Sequence, residues 1–302
     1  MGVREKINAQ EPTVVHGMSA AKYHADPCPV PSLTSSIAHV LTSKSPLHAW
    51  TLHPRLGGKR RRDTSRGMDA GTIAHAVLFN TLGELVIVQA DDWRTKVAKD
   101  LRDAAKAAGQ HAVLQCELDE VAAAVKQIQK RLKEFGIPLK GKSEVSIFWK
   151  EQTENGEAVQ CRARLDHLIV ERNRVTIIDL KTCRSAHPRA CESHAFEYGY
   201  DIQSAAYRSA ICAVYPHLAG REEFHFLFAE LEEPFALSPA EPDGSFRELG
   251  ERRWRRAVNT WAACTRSKKW PGYGRIKLSA PTYALIAEEE FNDGNGSSSE
   301  EV

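Results

Sequence analysis

The sequence predicts an α/β (α+β) chain: a mixed central β-sheet flanked by helices, with a helical N-terminal part. Three observations carry this. Glu144–Lys150, Val159–Val170 and Arg174–Lys181 are runs rich in β-branched and aromatic residues, as strands are. Thr153-Glu154-Asn155-Gly156 and Glu171-Arg172-Asn173 supply turn residues between them, so the three runs read as a meander. Helical apolar periodicity lies before and after this block, an order that fits helices packed on one sheet.

Taken in chain order, residues 1–30 carry few apolar repeats and read as an N-terminal extension. From Ser32 to about Leu56 the chain reads as a helix start followed by helix, with Ser45-Pro46 opening a second short helix through Trp50. A basic loop, Gly57-Gly58-Lys59-Arg60-Arg61-Arg62, follows. Met68–Phe79 places Ala70, Ile73, Ala74, Val77 and Leu78 on one helical stripe. Leu85–Gln89 suits a short strand, and Val97–Phe135 is mostly helical with a break near Gly109. After the meander come a long helix over 192–214, a strand over Glu223–Leu231 and a last helix from Leu249 to Arg266. The core domain is drawn at 31–286, and 287–302 is drawn as an acidic disordered tail.

Composition narrows the function classes. With 42% hydrophobic and 26% charged residues in 302, the chain can bury a sizeable core without staples. The seven cysteines include no CxxC pair, so reduced thiols are expected and no zinc or iron–sulfur site. No apolar run approaches the ~18 residues of a membrane span, and the N-terminus lacks a signal-peptide pattern. A cytoplasmic protein is the expectation. No GxxxxGK[ST] loop is present, which argues against a P-loop ATPase or helicase. The net charge of +2 conceals an asymmetry: the last 16 residues hold six acids and no base, leaving 41 basic against 33 acidic residues elsewhere. A body of that charge is drawn to polyanions.

The chemistry concentrates at two strand ends. Asp166 closes the run Arg162-Ala163-Arg164-Leu165-Asp166, and Asp179 and Lys181 close Val175–Lys181. Strand alternation places Arg162, Arg164 and Asp166 on one face, and Val175, Ile177, Asp179 and Lys181 on one face of the next strand. Two carboxylates there can hold Mg²⁺, with Mn²⁺ as a substitute, because both are hard cations that prefer oxygen. A lysine beside them can orient or help deprotonate a water and offset developing negative charge. Glu144, opening its strand, can reach the same metal directly or through water.

The ordered set Gly71-x-x-x-His75, Glu144, Asp166, Asp179-x-Lys181 and Gln203-x-x-x-Tyr207 resembles the PD-(D/E)xK nuclease superfamily. It is most similar to the branch of RecB-type domains, phage lambda exonuclease and the RecE-like exodeoxyribonuclease VIII. Pro31–Ser36, Ser45–Trp50 and Trp270–Gly274 resemble segments of the phage RecE-like domains. The family's proline before the first acid is replaced by Leu165. The resemblance implies a restriction-endonuclease-like core and a metal-dependent phosphodiesterase. It makes Asp166, Asp179 and His75 metal ligands, and Lys181, Glu144, Gln203 and Tyr207 the catalytic set. In that set Lys181 positions the nucleophile, while Gln203 and Tyr207 support the site and contact the DNA backbone. It also implies 5′ to 3′ degradation of linear duplex DNA in recombination, leaving 3′ single-stranded tails for an annealing protein, and a ring-shaped homo-oligomer.

Lys59, Arg60, Arg61 and Arg62, with Arg162 and Arg164, are the expected phosphate contacts. No base-reading module is visible, so sequence-independent DNA binding follows. Two alternatives stay open: a single-strand- or structure-specific nuclease of the same fold, and an inactive DNA-binding protein.

Overall fold

The computed structural model describes residues 11–58 and 66–296. The chain divides into two units, Met1–Pro271 and Gly272–Val302. Among the described residues of the first unit the sheet has six strands. β1 (Thr13–Val15) precedes three short helices, α1 (Ala20–His24), α2 (Ser35–Ser43) and α3 (Pro46–Leu52). The next elements are α4 (Arg66–Leu78), β2 (Leu85–Val88), α5 (Lys96–Ala107), β3 (His111–Leu114) and α6 (Gln115–Glu134). The meander is β4 (Lys142–Gln152), β5 (Ala158–Val170) and β6 (Val175–Thr182). It is followed by α7 (Pro188–Glu197), α8 (Tyr200–Val214), β7 (Glu222–Ala229), β8 (Leu237–Ala240) and α9 (Gly244–Ser267).

Local chemistry starts and stops these elements. Thr34 caps α2 by accepting from the Ile37 amide, and Ser45 caps α3 with Pro46 in its first turn. The β4–β5 hairpin turns through Gly156 at φ +75°, left-handed backbone that glycine adopts at low cost. The long helix expected over 192–214 is instead two. The chain breaks at Gly199, φ +70°, where a Cβ would meet the His39 ring at 2.3 Å.

The sheet order is β1-β4-β5-β6-β7-β8, antiparallel except for the parallel pair β6–β7. A parallel pair needs a crossover, and α7 and α8 supply it. Val145, Ile147, Trp149, Cys161, Ala163, Leu165, Val175 and Ile177 face a core completed by α2, α8 and α9. Ile169, Ile178, Leu180 and Leu227 face a second core, completed by α4 and α6. Three strands were not expected from the sequence. β1 and β8 are three- and four-residue edge strands, and β3 forms with β2 a separate parallel pair inside the stretch read as helix. The second unit carries α10 (Thr282–Gly296), so the stretch drawn as a disordered tail from 287 is helical through Gly296.

The N-terminal stretch is tied to the sheet. β1 pairs with β4, and Met18, Tyr23 and Cys28 pack on Phe148. Beneath them Asp26 has a fully buried side chain. Its carboxylate accepts from the Ser32 amide (2.9 Å) and hydroxyl (2.7 Å), and pairs with Arg162 (3.0 Å) and His53 (3.3 Å). Burial alone would raise the Asp26 pKa, but His53, Arg162 and Ser32 together lower it to about 2. A depressed carboxyl pKa contributes stability above the unfolded value of about 4, which is lost as the pH falls to about 2. Asp26→Asn leaves Arg162 buried without its partner charge. A loss of about 3 kcal/mol in guanidinium unfolding at pH 7 is expected, shrinking as both proteins are taken from pH 4 towards pH 2.

Candidate active site

The site is the fork where β5 and β6 part. Their ladder runs from Val170–Val175 to His167–Ile178 and stops there, so Asp166 and Asp179 fall at the first unpaired position of each strand. On the other edge, Glu144 and Asp166 both drop out of the β4–β5 ladder while Val145–Leu165 and Ser143–His167 keep one register. Glu144 stands at φ +53°, a left-handed conformation uncommon for a residue with a side chain. Across this kink the first-core position on β5 passes from Leu165 to Leu168, so strict alternation fails where the acids are.

Two helical layers converge on the fork. From α4, His75 places Nδ1 3.2 Å from Asp166 Oδ2 and donates from Nε2 to the Leu180 carbonyl, 2.9 Å away. The helix approaches closely because of Gly71, where a Cβ would come within 2.9 Å of Thr182 Oγ1. The Leu180 amide donates to Asp166 Oδ2 at 3.0 Å. From α8, Gln203 donates to Asp179 Oδ2 (2.7 Å) and accepts from Lys181 Nζ (3.0 Å). Lys181 also forms an ion pair with Asp179 and stands 4.2 Å over the Tyr200 ring. Tyr207, one turn beyond Gln203, is buried and donates to the Arg164 carbonyl at 2.8 Å, holding β5 just ahead of Asp166.

Ligand atoms of His75, Glu144 and Asp166 all lie within 4.8 Å of one another. Donors around one ion at about 2.0–2.6 Å are necessarily this close. The charges fit as well. Burial and then the charge of Asp179 push the Asp166 carboxyl well above its usual range, and burial pushes the His75 imidazole down. With Nε2–H given to a carbonyl, a neutral His75 points its Nδ1 lone pair at a carboxylate. Two electron-rich atoms facing each other need a cation between them or a proton. His75 and Asp166 keep 28% and 18% of their side-chain surface exposed, so the cluster is open to solution.

The expected residues divide into two groups. His75, Glu144, Asp166, Asp179, Lys181, Gln203 and Tyr207 are brought together, with two differences in detail. Glu144 stands among the possible ligands themselves, while Asp179 is engaged by Lys181 and Gln203. The second group is not assembled. Arg162 and Arg164 are 3% and 9% exposed and do not face solvent as phosphate contacts. Arg162 is held by Asp26 and Ser32, and Arg164 by Glu144, Glu84 and the Met18 carbonyl. The core's need to neutralise Asp26 and Glu144 explains their position. Lys59, Arg60, Arg61 and Arg62 lie outside the described residues.

Of the arginines flanking Trp254, Arg253 pairs with buried Asp201, and Arg252, Arg255 and Arg256 line an open groove beside Glu154 and Glu251. That groove lies apart from the fork and shares no residue with it. Sequence reasoning missed Tyr200 and the Leu180 main chain. Tyr200, Gln203 and Tyr207 share one helix face, which was a usable signal for the first.

Residues 45–280 match the family described as a PDDEXK-like domain of unknown function (DUF3799). The chain belongs to this family. Its fold is that of the PD-(D/E)xK nucleases. The crystal structure of a candidate exonuclease from Eubacterium rectale is similar over 88% of this chain and 95% of that one. Its TM-score is 0.56 at 10% identity, which is likeness of fold. A second structure, of the protein SSO0001, overlaps 62% of this chain and 86% of that one at 15% identity. Its TM-score of 0.26 carries no argument. No curated protein matches the sequence.

In this PDDEXK-like chain the Asp166 carboxylate is a partly buried charge beside the Asp179 and Glu144 carboxylates, so removing it relieves repulsion. Its raised pKa has the sign of a group whose contribution is favourable below the unfolded carboxyl pKa and is lost as pH rises through the folded value. Asp166→Asn keeps an acceptor for the Leu180 amide. Differential scanning calorimetry at pH 7.5 in EDTA is expected to show Asp166→Asn melting a few degrees above wild type, roughly 1 kcal/mol. Millimolar Mn²⁺ is expected to raise the wild-type Tm and leave that of the variant unmoved.

Proposed function

We propose that this chain is a divalent-metal-dependent DNA exonuclease, using Mg²⁺ or Mn²⁺ to degrade linear duplex DNA. The observation that carries the reading is the His75–Glu144–Asp166 donor set standing beside the Asp179–Lys181 pair. His75, Glu144 and Asp166 would hold the ion, with Asp179 next to them. A metal there supplies Lewis-acid polarisation of a phosphoryl oxygen and a water of lowered pKa.

The chain's own groups do the rest. Lys181 keeps only 15% of its side-chain surface exposed, and that desolvation alone would lower its pKa. The Asp179 charge over-compensates and holds it above the ordinary lysine value. It therefore works as a cation and hydrogen-bond donor, not as the base that removes a proton. Fixed by Asp179, Gln203 and the Tyr200 ring, it can orient the attacking water and offset negative charge growing on the phosphoryl oxygens. Arg164 grips one oxygen of Glu144 and so fixes that carboxylate. Gln203 and Tyr207 are positioning residues, one for the Asp179–Lys181 pair and one for β5.

Action from DNA ends, 5′ to 3′ polarity, 3′ single-stranded products, ring assembly and a single-strand annealing partner are supported by the resemblance of the motif set to RecE-like and lambda-type exonucleases. A basic body favours a polyanionic substrate. The test is incubation of the full chain with end-labelled linear duplex and closed circular DNA, in Mg²⁺ and in EDTA. Loss of linear DNA alone, dependent on Mg²⁺ and slowed about 100-fold or more in Lys181→Ala with DNA binding retained, is the expected outcome. Cleavage of closed circles would replace the exonuclease by an endonuclease. Binding without cleavage of either form would leave a DNA-binding protein.

A further inference from the structure

Beside the fork stands a group of aromatic side chains that the proposed chemistry does not use. Tyr198 and Phe196, at the end of α7 and in the turn to α8, are 56% and 58% exposed. Large aromatic rings are normally drawn into the core, and these lie two and four residues from Tyr200, whose ring carries the Lys181 ammonium. They are braced. The His194 ring meets Tyr198 edge-on at 4.5 Å and 85°, and Tyr198 lies 6.2 Å from Tyr200 at 33°. Phe196 has the Arg253 guanidinium over its ring at 5.3 Å, and Arg253 is fixed by Asp201. The turn that follows them into α8 passes through Gly199, whose left-handed backbone and contact with His39 admit no side chain, so the chain path that presents the rings is set by the fold. Arg184, which follows Lys181 by three residues, is exposed on the connection leading to α7.

We propose that Tyr198 and Phe196 form a stacking subsite for unpaired nucleobases of the strand being cut, with Tyr198 the nearer to the scissile phosphate. This rests on the nuclease reading of the fork. Three features point to bases rather than to a protein partner. The rings are prepositioned, so little side-chain entropy opposes stacking. Tyr198 is joined through Tyr200 to the lysine that would face the phosphate, so a base and its own backbone can be held at once. Finally, π-faces without a dedicated hydrogen-bonding edge suit any base, as sequence-independent binding requires. A base paired within a duplex offers no free face, so the subsite selects strands whose terminal bases are unpaired.

The experiment measures anisotropy of labelled (dT)₁₂ and of a labelled blunt GC-rich duplex against the full chain, in EDTA to prevent cleavage. Wild type, Tyr198→Ala, Tyr198→Phe and Phe196→Ala are compared. Tyr198→Ala is expected to weaken (dT)₁₂ binding about tenfold, Tyr198→Phe to stay within about twofold, and duplex affinity to be unmoved in both. Phe196→Ala is expected to weaken (dT)₁₂ binding by a smaller factor. Circular dichroism checks that the exposed positions leave the fold intact. Equal (dT)₁₂ affinity in wild type and Tyr198→Ala overturns the proposal. So does equal loss on both substrates, or a Tyr198→Phe variant as weak as Tyr198→Ala. A change from dimer to monomer in sedimentation, with (dT)₁₂ affinity unchanged, would assign the rings to contact between copies and also overturn it. Failure of the nuclease reading appears separately, as wild type that cleaves no DNA in Mg²⁺ while its (dT)₁₂ binding still depends on the ring.

Discussion

Strands β5 and β6 cannot remain paired through Asp166 and Asp179, and the site follows from that separation. Opposed in a continuous ladder, two carboxylates would crowd one another in a space with little water. The ladder ends one pair earlier, at His167–Ile178, and the freed main chain turns to other tasks. The Leu180 amide donates to Asp166, and the Leu180 carbonyl accepts a hydrogen bond from His75 Nε2–H. The gap is wide enough for side chains from both helical layers, and this is why α4 and α8 can meet at one point although they cover opposite faces of the sheet.

Holding that charge together requires supports that are not themselves reactive. Arg164 is the nearest: it reaches Glu144, Glu84 and the Met18 carbonyl, linking β4, the turn before β2 and the N-terminal stretch. Asp26, Ser32, His53 and Arg162 form a second buried network two residues away on β5. Breaking either leaves an arginine without its counter-charge in the interior, at a cost of several kcal/mol. The described N-terminal residues from 11 onward are thereby part of what fixes the acids, although their sequence shows little periodicity. The packing of Tyr23 over Arg162, 5.4 Å from ring to guanidinium, belongs to the same support.

The meander was legible because its runs are long, β-branched and separated by turn residues. The convergence of the candidate residues was legible because a spaced set of acids, lysine, glutamine and tyrosine is a constraint that unrelated sequences seldom meet. What escaped was set by tertiary context. β1 and β8 are edge strands too short to show a period, and β3 sits between helical stretches with a composition that favours either state. Arg162 and Arg164 illustrate a different limit. Alternation correctly put them on the face away from Cys161, Ala163 and Leu165. A sequence does not say whether such a face meets solvent, and here the N-terminal segment covers it. The faces could not be followed past Leu165 either, because the kink at Glu144 and Asp166 resets them.

The ammonium of Lys181 shows how the fork divides labour between acids that are chemically alike. Asp179 is paired with the Lys181 ammonium and accepts a hydrogen bond from Gln203, so its charge is balanced within the protein. Asp166 has no cationic side chain of its own, only the Leu180 amide and an imidazole whose pKa is lowered. One carboxylate is thus settled and the other is left demanding a cation, from two aspartates thirteen residues apart on neighbouring strands. The charge of the settled acid favours the charged form of the same lysine, so in the proposed reaction its part would be to meet charge on the substrate rather than to remove a proton. In the proposed reaction the deprotonated nucleophile would then come from elsewhere in the cluster. The open face of the His75–Glu144–Asp166 group, to which solution has access, is where a water can meet that demand.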